Sequence, residues 1–180
     1  MRPPWDGGWI WTRDEKGNPW MSVACQGLGA SVWFPCKDHQ SDEPDMGASL
    51  TIVAPDTLVA VGNGRLVSQQ REKHNIAWTW EVKNPINTYN IIPYIGKYEN
   101  FKEAYAGEKG MLDCNYWVLD YDLPKAQTQF TQVATMLKHF EHWFGPYPFY
   151  EDGYQLVQAP HLGMEHQSAI AYGNKFTNGY

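Results

Sequence analysis

The chain has 180 residues, 43% of them hydrophobic and 19% charged, which supplies a packed core and excludes global disorder. Its formal net charge is −6 and it has no basic run, which argues against a nucleic-acid partner. No apolar run approaches the roughly 20 residues that span a bilayer, and Met1-Arg2-Pro3-Pro4-Trp5 lacks the apolar core of a signal peptide.

Residues 1–19 are rich in Gly, Pro and Trp, with a turn at Asp14–Asn18. Trp20–Ala24 reads as a strand, broken by Gln26-Gly27-Leu28-Gly29. Ser31–Phe34 is an apolar stretch stopped by Pro35, and Cys36–Gly47 is a polar loop. Ala48–Ala54 alternates, with Leu50 and Ile52 on one face. Leu58–Val61 and Arg65–Gln69 flank Gly62-Asn63-Gly64, which predicts a hairpin. Ile76–Val82 is the cleanest strand, with Ile76, Trp78, Trp80 and Val82 on one face. Tyr89–Tyr98 and Asn115–Asp120 read as further strands. Together they predict an antiparallel β-sandwich.

The pattern then changes. Ala126, Phe130, Val133, Leu137, Phe140 and Phe144 recur at helical spacing and predict one continuous helix. Pro124 suits its start, and Gly145 with Pro146 its end. A strand at Tyr154–Gln158 follows. The fold class read from this order is α+β: a mainly antiparallel sandwich, then a helix and a small sheet. The expected division is 1–122 and 123–180.

Three cysteines, Cys25, Cys36 and Cys114, cannot all pair within the chain. Free buried thiols are expected, with a Cys25–Cys36 bridge as the alternative. Cys36 and His39 have a metal-ligand spacing but no second pair to complete a site. His139 and His142 fall toward the polar side of the helix. His161, Glu165 and His166 are one residue too widely spaced for an inverted zinc motif.

The stretch richest in chemistry is His161-Leu162-Gly163-Met164-Glu165-His166-Gln167, leading into Ser168–Tyr172. Gly163 permits close backbone approach. The small-residue strand after it suits a sheet edge, where an extended peptide can add by main-chain hydrogen bonds. Glu165 would then sit where a peptide's free amine ends. Taken alone, the stretch also reads as a turn with a solvated acid.

This loop resembles the G-x-M-E-N motif of the aminopeptidase N family of zinc peptidases. Gly163, Met164 and Glu165 stand in its central positions, while Leu162 replaces the first Gly and His166 the Asn. The family's F-P-C-x-D-E-P signature is matched by Phe34-Pro35-Cys36 and Asp42-Glu43-Pro44, with the five-residue link Lys37–Ser41 where the family usually has one residue. Ser31 stands where the family often has Arg. Gln26 falls where the family places an acid or amide that helps hold the substrate amine. The helix and Gly145-Pro146-Tyr147-Pro148 resemble the opening of the family's catalytic domain.

The resemblance implies a fragment of a zinc aminopeptidase, cut at both ends and inactive alone, acting on peptides with a free N-terminus. Glu165, Gln26, Gly163, Met164 and His166 would bind substrate. The zinc and its ligands would belong to the full-length parent, because in relatives they follow the motif by about two dozen residues. A rival reading is a carbohydrate-binding sandwich that stacks sugars on Trp78, Trp80 or Trp117.

Overall fold

A computed structural model of the protein describes residues 7–25 and 27–178. The fold is α+β and mostly antiparallel, with strands arranged in three sheets. The first sheet has the order β1-β2-β7-β4, from Gly8–Arg13, Pro19–Ala24, Tyr94–Gly96 and Val59–Val61. The second is β3-β6-β5, from Ala48–Pro55, Asn75–Val82 and Arg65–Glu72. One core joins them: Val23, Val61 and Tyr94 of the first meet Ile52, Trp78 and Trp80 of the second. The alternation read in Ile76–Val82 is the cause, since Ile76, Trp78, Trp80 and Val82 are all buried. Each such buried side chain contributes about 1.5–3 kcal/mol. Trp78 and Trp80 therefore offer no stacking face to a sugar, and Trp117 donates its Nε1–H to Gln155 at 2.9 Å.

The third sheet is mixed, in the order β11-β10-β9-β8. β8 (Tyr98–Gly107) and β9 (Gly110–Leu119) form an antiparallel hairpin. β10 (Tyr154–Gln158) then adds in parallel to β9, and β11 (Ile170–Tyr172) in parallel to β10. The parallel step needs a crossover, which two helices supply: α1 (Leu123–Gln129) and α2 (Gln132–Phe144). Their inner face is Ala126, Phe130, Val133 and Leu137, packed on Leu112, Tyr116 and Val118.

Several local expectations are corrected. The single predicted helix is two, interrupted at Phe130–Thr131. Beyond the break the buried line continues through Leu137 to Glu141, so Phe140 and Phe144 are left exposed. Glu141 is buried because Tyr105 Oη donates to it at 2.6 Å and Glu108 N at 3.1 Å.

Gly62-Asn63-Gly64 does not close a hairpin. β4 before it pairs with β7 and β5 after it pairs with β6, so the segment carries the chain from one sheet to the other. Asn63 fixes that corner by donating to Asn90 O and Gln167 O, both at 2.7 Å, and accepting from Ile92 N at 2.9 Å. The hairpin forms instead between β5 and β6, with Lys73 at φ 55° in its turn. In the apolar stretch before Pro35, Ala30–Val32 is a 3-10 turn. β1 was not foreseen in the Trp- and Gly-rich start. Cys25 and Cys114 are buried and Cys36 half-buried, all as free thiols, and burial pushes Cys25 and Cys114 up to about 12.

Candidate functional site

β11 ends the third sheet, and its outer side is already occupied. Met164 N donates to Ala171 O at 3.2 Å, and Ala171 N donates back to Met164 O at 3.0 Å. This reciprocal antiparallel bridge means that the available edge is not β11, as the sequence suggested, but the loop segment Gly163–Glu165. In such a pair the residues flanking Met164 turn their amide and carbonyl groups away from β11. No backbone partner is found among the described residues for either the Gly163 or the Glu165 amide. Gly163 suits the close approach of the chain itself, since a Cβ there would lie 3.2 Å from Ala171 O, a tight contact.

Extended alternation sorts the side chains. Met164 and His166 point into the core, at 8% and 0% exposure, while Gly163 and Glu165 are exposed. Glu165 stands at a cleft of about 430 Å³ whose walls come from four separate stretches of chain. One wall is Cys25 with Gly27–Ala30, a second is Asp38–Gln40, a third is Asn87–Tyr89, and the fourth is Met164 with Glu165.

The third wall is fastened to two others. Tyr89 Oη donates to Glu165 Oε1 at 3.0 Å. Asn90 Oδ1 accepts from Gln167 N at 3.1 Å. Asn87 Nδ2 donates to Gln40 O at 2.5 Å. Burial raises the Tyr89 phenol above its ordinary value, helped by the Glu165 carboxylate. Asp38 is held below the usual carboxylate range by the Ser31 hydroxyl and amide, the amide at 2.9 Å. Gly29, at φ +82°, admits the Asp38 side chain where a Cβ would collide with it.

Of the residues singled out by sequence, the structure brings Glu165 and Met164 to the cleft and places Gly163 beside them. His166 is placed elsewhere: its ring lies in the core, with Nδ1 2.7 Å from Tyr94 Oη. Gln26 lies outside the described residues, and its neighbours Cys25 and Gly27 line the cleft. Tyr89 and the Asp38–Gln40 wall were missed. A signal for the latter existed: these residues are the middle of the link that is longer than the family's usual one. Among the described residues no group of three or more His, Cys, Asp or Glu is placed to hold a metal ion, so no chemical step is assigned to one.

The arrangement is a carboxylate-bearing cleft beside an open backbone edge, on a sandwich joined to a mixed sheet. No family model and no curated protein matches the sequence. Solved structures match the fold. A two-domain M1 zinc metallopeptidase variant bound to L-tryptophan aligns over 96% of this chain and 38% of that chain, with TM-score 0.78 and 20% identity. The M1 zinc metallopeptidase from Deinococcus radiodurans aligns over 99% of this chain and 39% of that chain, with TM-score 0.73 and 20% identity. A variant of the Deinococcus radiodurans enzyme bound to a Tyr-Ser-Ala substrate aligns over 96% and 38%, with TM-score 0.72 and 21% identity. The fold is thus shared with zinc metallopeptidases, the class that the sequence motifs resemble, and the chain spans less than two-fifths of those proteins.

Proposed function

We propose that the chain is part of a zinc aminopeptidase and carries the surface that selects a peptide's free N-terminus. The observation that supports this most directly is the pairing of Glu165 with an open edge. The Glu165 carboxylate lies at the cleft, and the adjoining backbone amides have no partner among the described residues. A peptide laid along Gly163–Glu165 would complete those amides and bring its ammonium to the acid. Met164 would support the ligand backbone from below. Gln26 stands between two cleft residues in sequence and is proposed as a second acceptor for the amine. The zinc, its ligands and the general base would be supplied by the longer parent, and the 180-residue piece alone would bind without cleaving.

The test is binding of L-tryptophanamide and its N-acetylated form to the isotope-labelled chain, followed by NMR. The free amine should bind more tightly, and Glu165→Gln should weaken it about tenfold or more, as expected for a hydrogen bond between charged groups. Equal binding of the two probes by the wild type would refute the amine-anchor reading.

A further inference from the structure

We infer that Tyr89 is the positioning residue of this site, holding Glu165 in the rotamer that presents its second oxygen to a ligand ammonium. This rests on the amine-anchor reading above and adds to it the element that aims the acid. Glu165 is an exposed, flexible side chain, and among the described residues its carboxylate has one recorded partner, the Tyr89 phenol at 3.0 Å. Donation to Oε1 leaves Oε2 free. A carboxylate fixed in this way loses less rotamer entropy when it binds than one that must be ordered by the ligand.

The phenol can act as a fixed point because its own turn is over-determined. Thr88–Asn90 is a 3-10 turn capped by Asn87, whose side chain accepts from Tyr89 N. Asn63 Nδ2 donates to both Asn90 O and Gln167 O at 2.7 Å, so one buried amide ties the turn to the loop just beyond Glu165. Asn90 Oδ1 repeats the tie through Gln167 N at 3.1 Å. On the other side, Asn87 donates to Gln40 O, and Thr88 Oγ1 to Lys37 O at 3.5 Å. The turn therefore holds the backbone of the ligand loop and the side chain of its acid together. A purely structural tyrosine would need only the ring, which packs against the sandwich core. The hydroxyl is directed at the cleft acid that adjoins the open backbone edge, whereas the other cleft acid, Asp38, is held by Ser31.

The experiment is a double-mutant cycle on the full 180-residue chain, with L-tryptophanamide and N-acetyl-L-tryptophanamide as probes. Tyr89→Phe keeps the ring and removes the donor. It should weaken binding of the free amine about three- to tenfold, the range for one lost hydrogen bond, and leave the acetylated probe unchanged. In a Glu165→Gln background the same change should have almost no effect. A second readout is the Tyr89 phenol followed by carbon-13 NMR through its titration. Glu165→Gln should lower its midpoint without ligand, because the carboxylate is one of the groups that raise it. If the wild type prefers the free amine but Tyr89→Phe keeps that preference in full, the positioning role is wrong while the anchor stands. If Tyr89→Phe weakens both probes equally, or as strongly in the Glu165→Gln background, the residue is structural and the inference fails. If the wild type shows no preference, the anchor itself fails and the inference with it.

Discussion

His166 makes the protein's stability depend on pH in a window that can be calculated. The ring is fully buried, and desolvation pushes it down to about 3, with a smaller contribution from nearby His161. The hydrogen bonds define the tautomer. Tyr94 Oη has one proton and donates it to Ala169 O at 2.9 Å, so it accepts from His166 Nδ1–H at 2.7 Å. Nε2 is then the bare nitrogen, and it has no partner among the described residues. Protonation would bury a cation with an unpaired N–H, which explains the direction of the shift.

In the unfolded chain His166 titrates at its ordinary value of about 6.5, so below that pH the unfolded state binds more protons and stability falls. The neutral-ring contribution is complete above about pH 6.5 and declines as the pH drops toward the folded value. At pH 5.5 the loss from this one ring is about 1.4 kcal/mol relative to pH 7.5. His161, also lowered by burial, adds loss of the same sign. Urea unfolding followed by tryptophan fluorescence at the two pH values measures the sum. His166→Asn keeps a donor for Tyr94 and cannot ionise, so it should be less stable at pH 7.5 yet lose about 1.4 kcal/mol less on acidification. If the variant loses as much stability between those pH values as the wild type, His166 is not the buried titrating group.

Two further outcomes follow from the packing. Asp152 is 1% exposed and accepts from Lys83 N at 2.7 Å, Asn84 N at 3.3 Å and Asn84 Nδ2 at 2.8 Å. Asp152→Ala orphans three donors and should cost about 3 kcal/mol in urea unfolding, with Asp152→Asn costing less. Gly64, at φ +79°, lies where a Cβ would strike the Glu81 carbonyl, so Gly64→Ala should cost at least about 2 kcal/mol; a change under about 0.5 kcal/mol would contradict the sheet-switch corner.

What could be read from the sequence was what a local pattern encodes. The period-two burial of Ile76–Val82 and the apolar line from Ala126 to Leu137 are properties of single elements, and both are found where they were expected. The errors fall where a residue's role is set by a distant partner. Asn63 between two glycines has the chemistry of a hairpin turn, yet its amide is consumed by Asn90 and Gln167, remote in sequence. The helical line ran on to Phe144 because Phe outranks Glu as a core residue, whereas two tyrosine hydroxyls and an amide make Glu141 the buried one. Tyr89 had no sequence signal at all, since its partner is Glu165 and nothing near Tyr89 marks it.

The two departures from the G-x-M-E-N pattern fall on opposite sides of the loop, and this decides what each can affect. From residue 163 onward the side chains alternate, 164 and 166 inward and 163 and 165 outward, so the His166 difference lies in the core; Leu162 precedes that alternation and, 70% exposed, lies at the surface. An inward His in place of Asn changes how the loop is held, through Tyr94, without presenting a new group at the cleft. It also gives the acid its direction: with Met164 bridged to Ala171 and His166 locked to Tyr94, the residue between them has only the outward face left. The orientation of Glu165 is then a product of folding on both sides of it, with Tyr89 selecting the rotamer. A loop ordered in this way has its shape fixed by the fold alone.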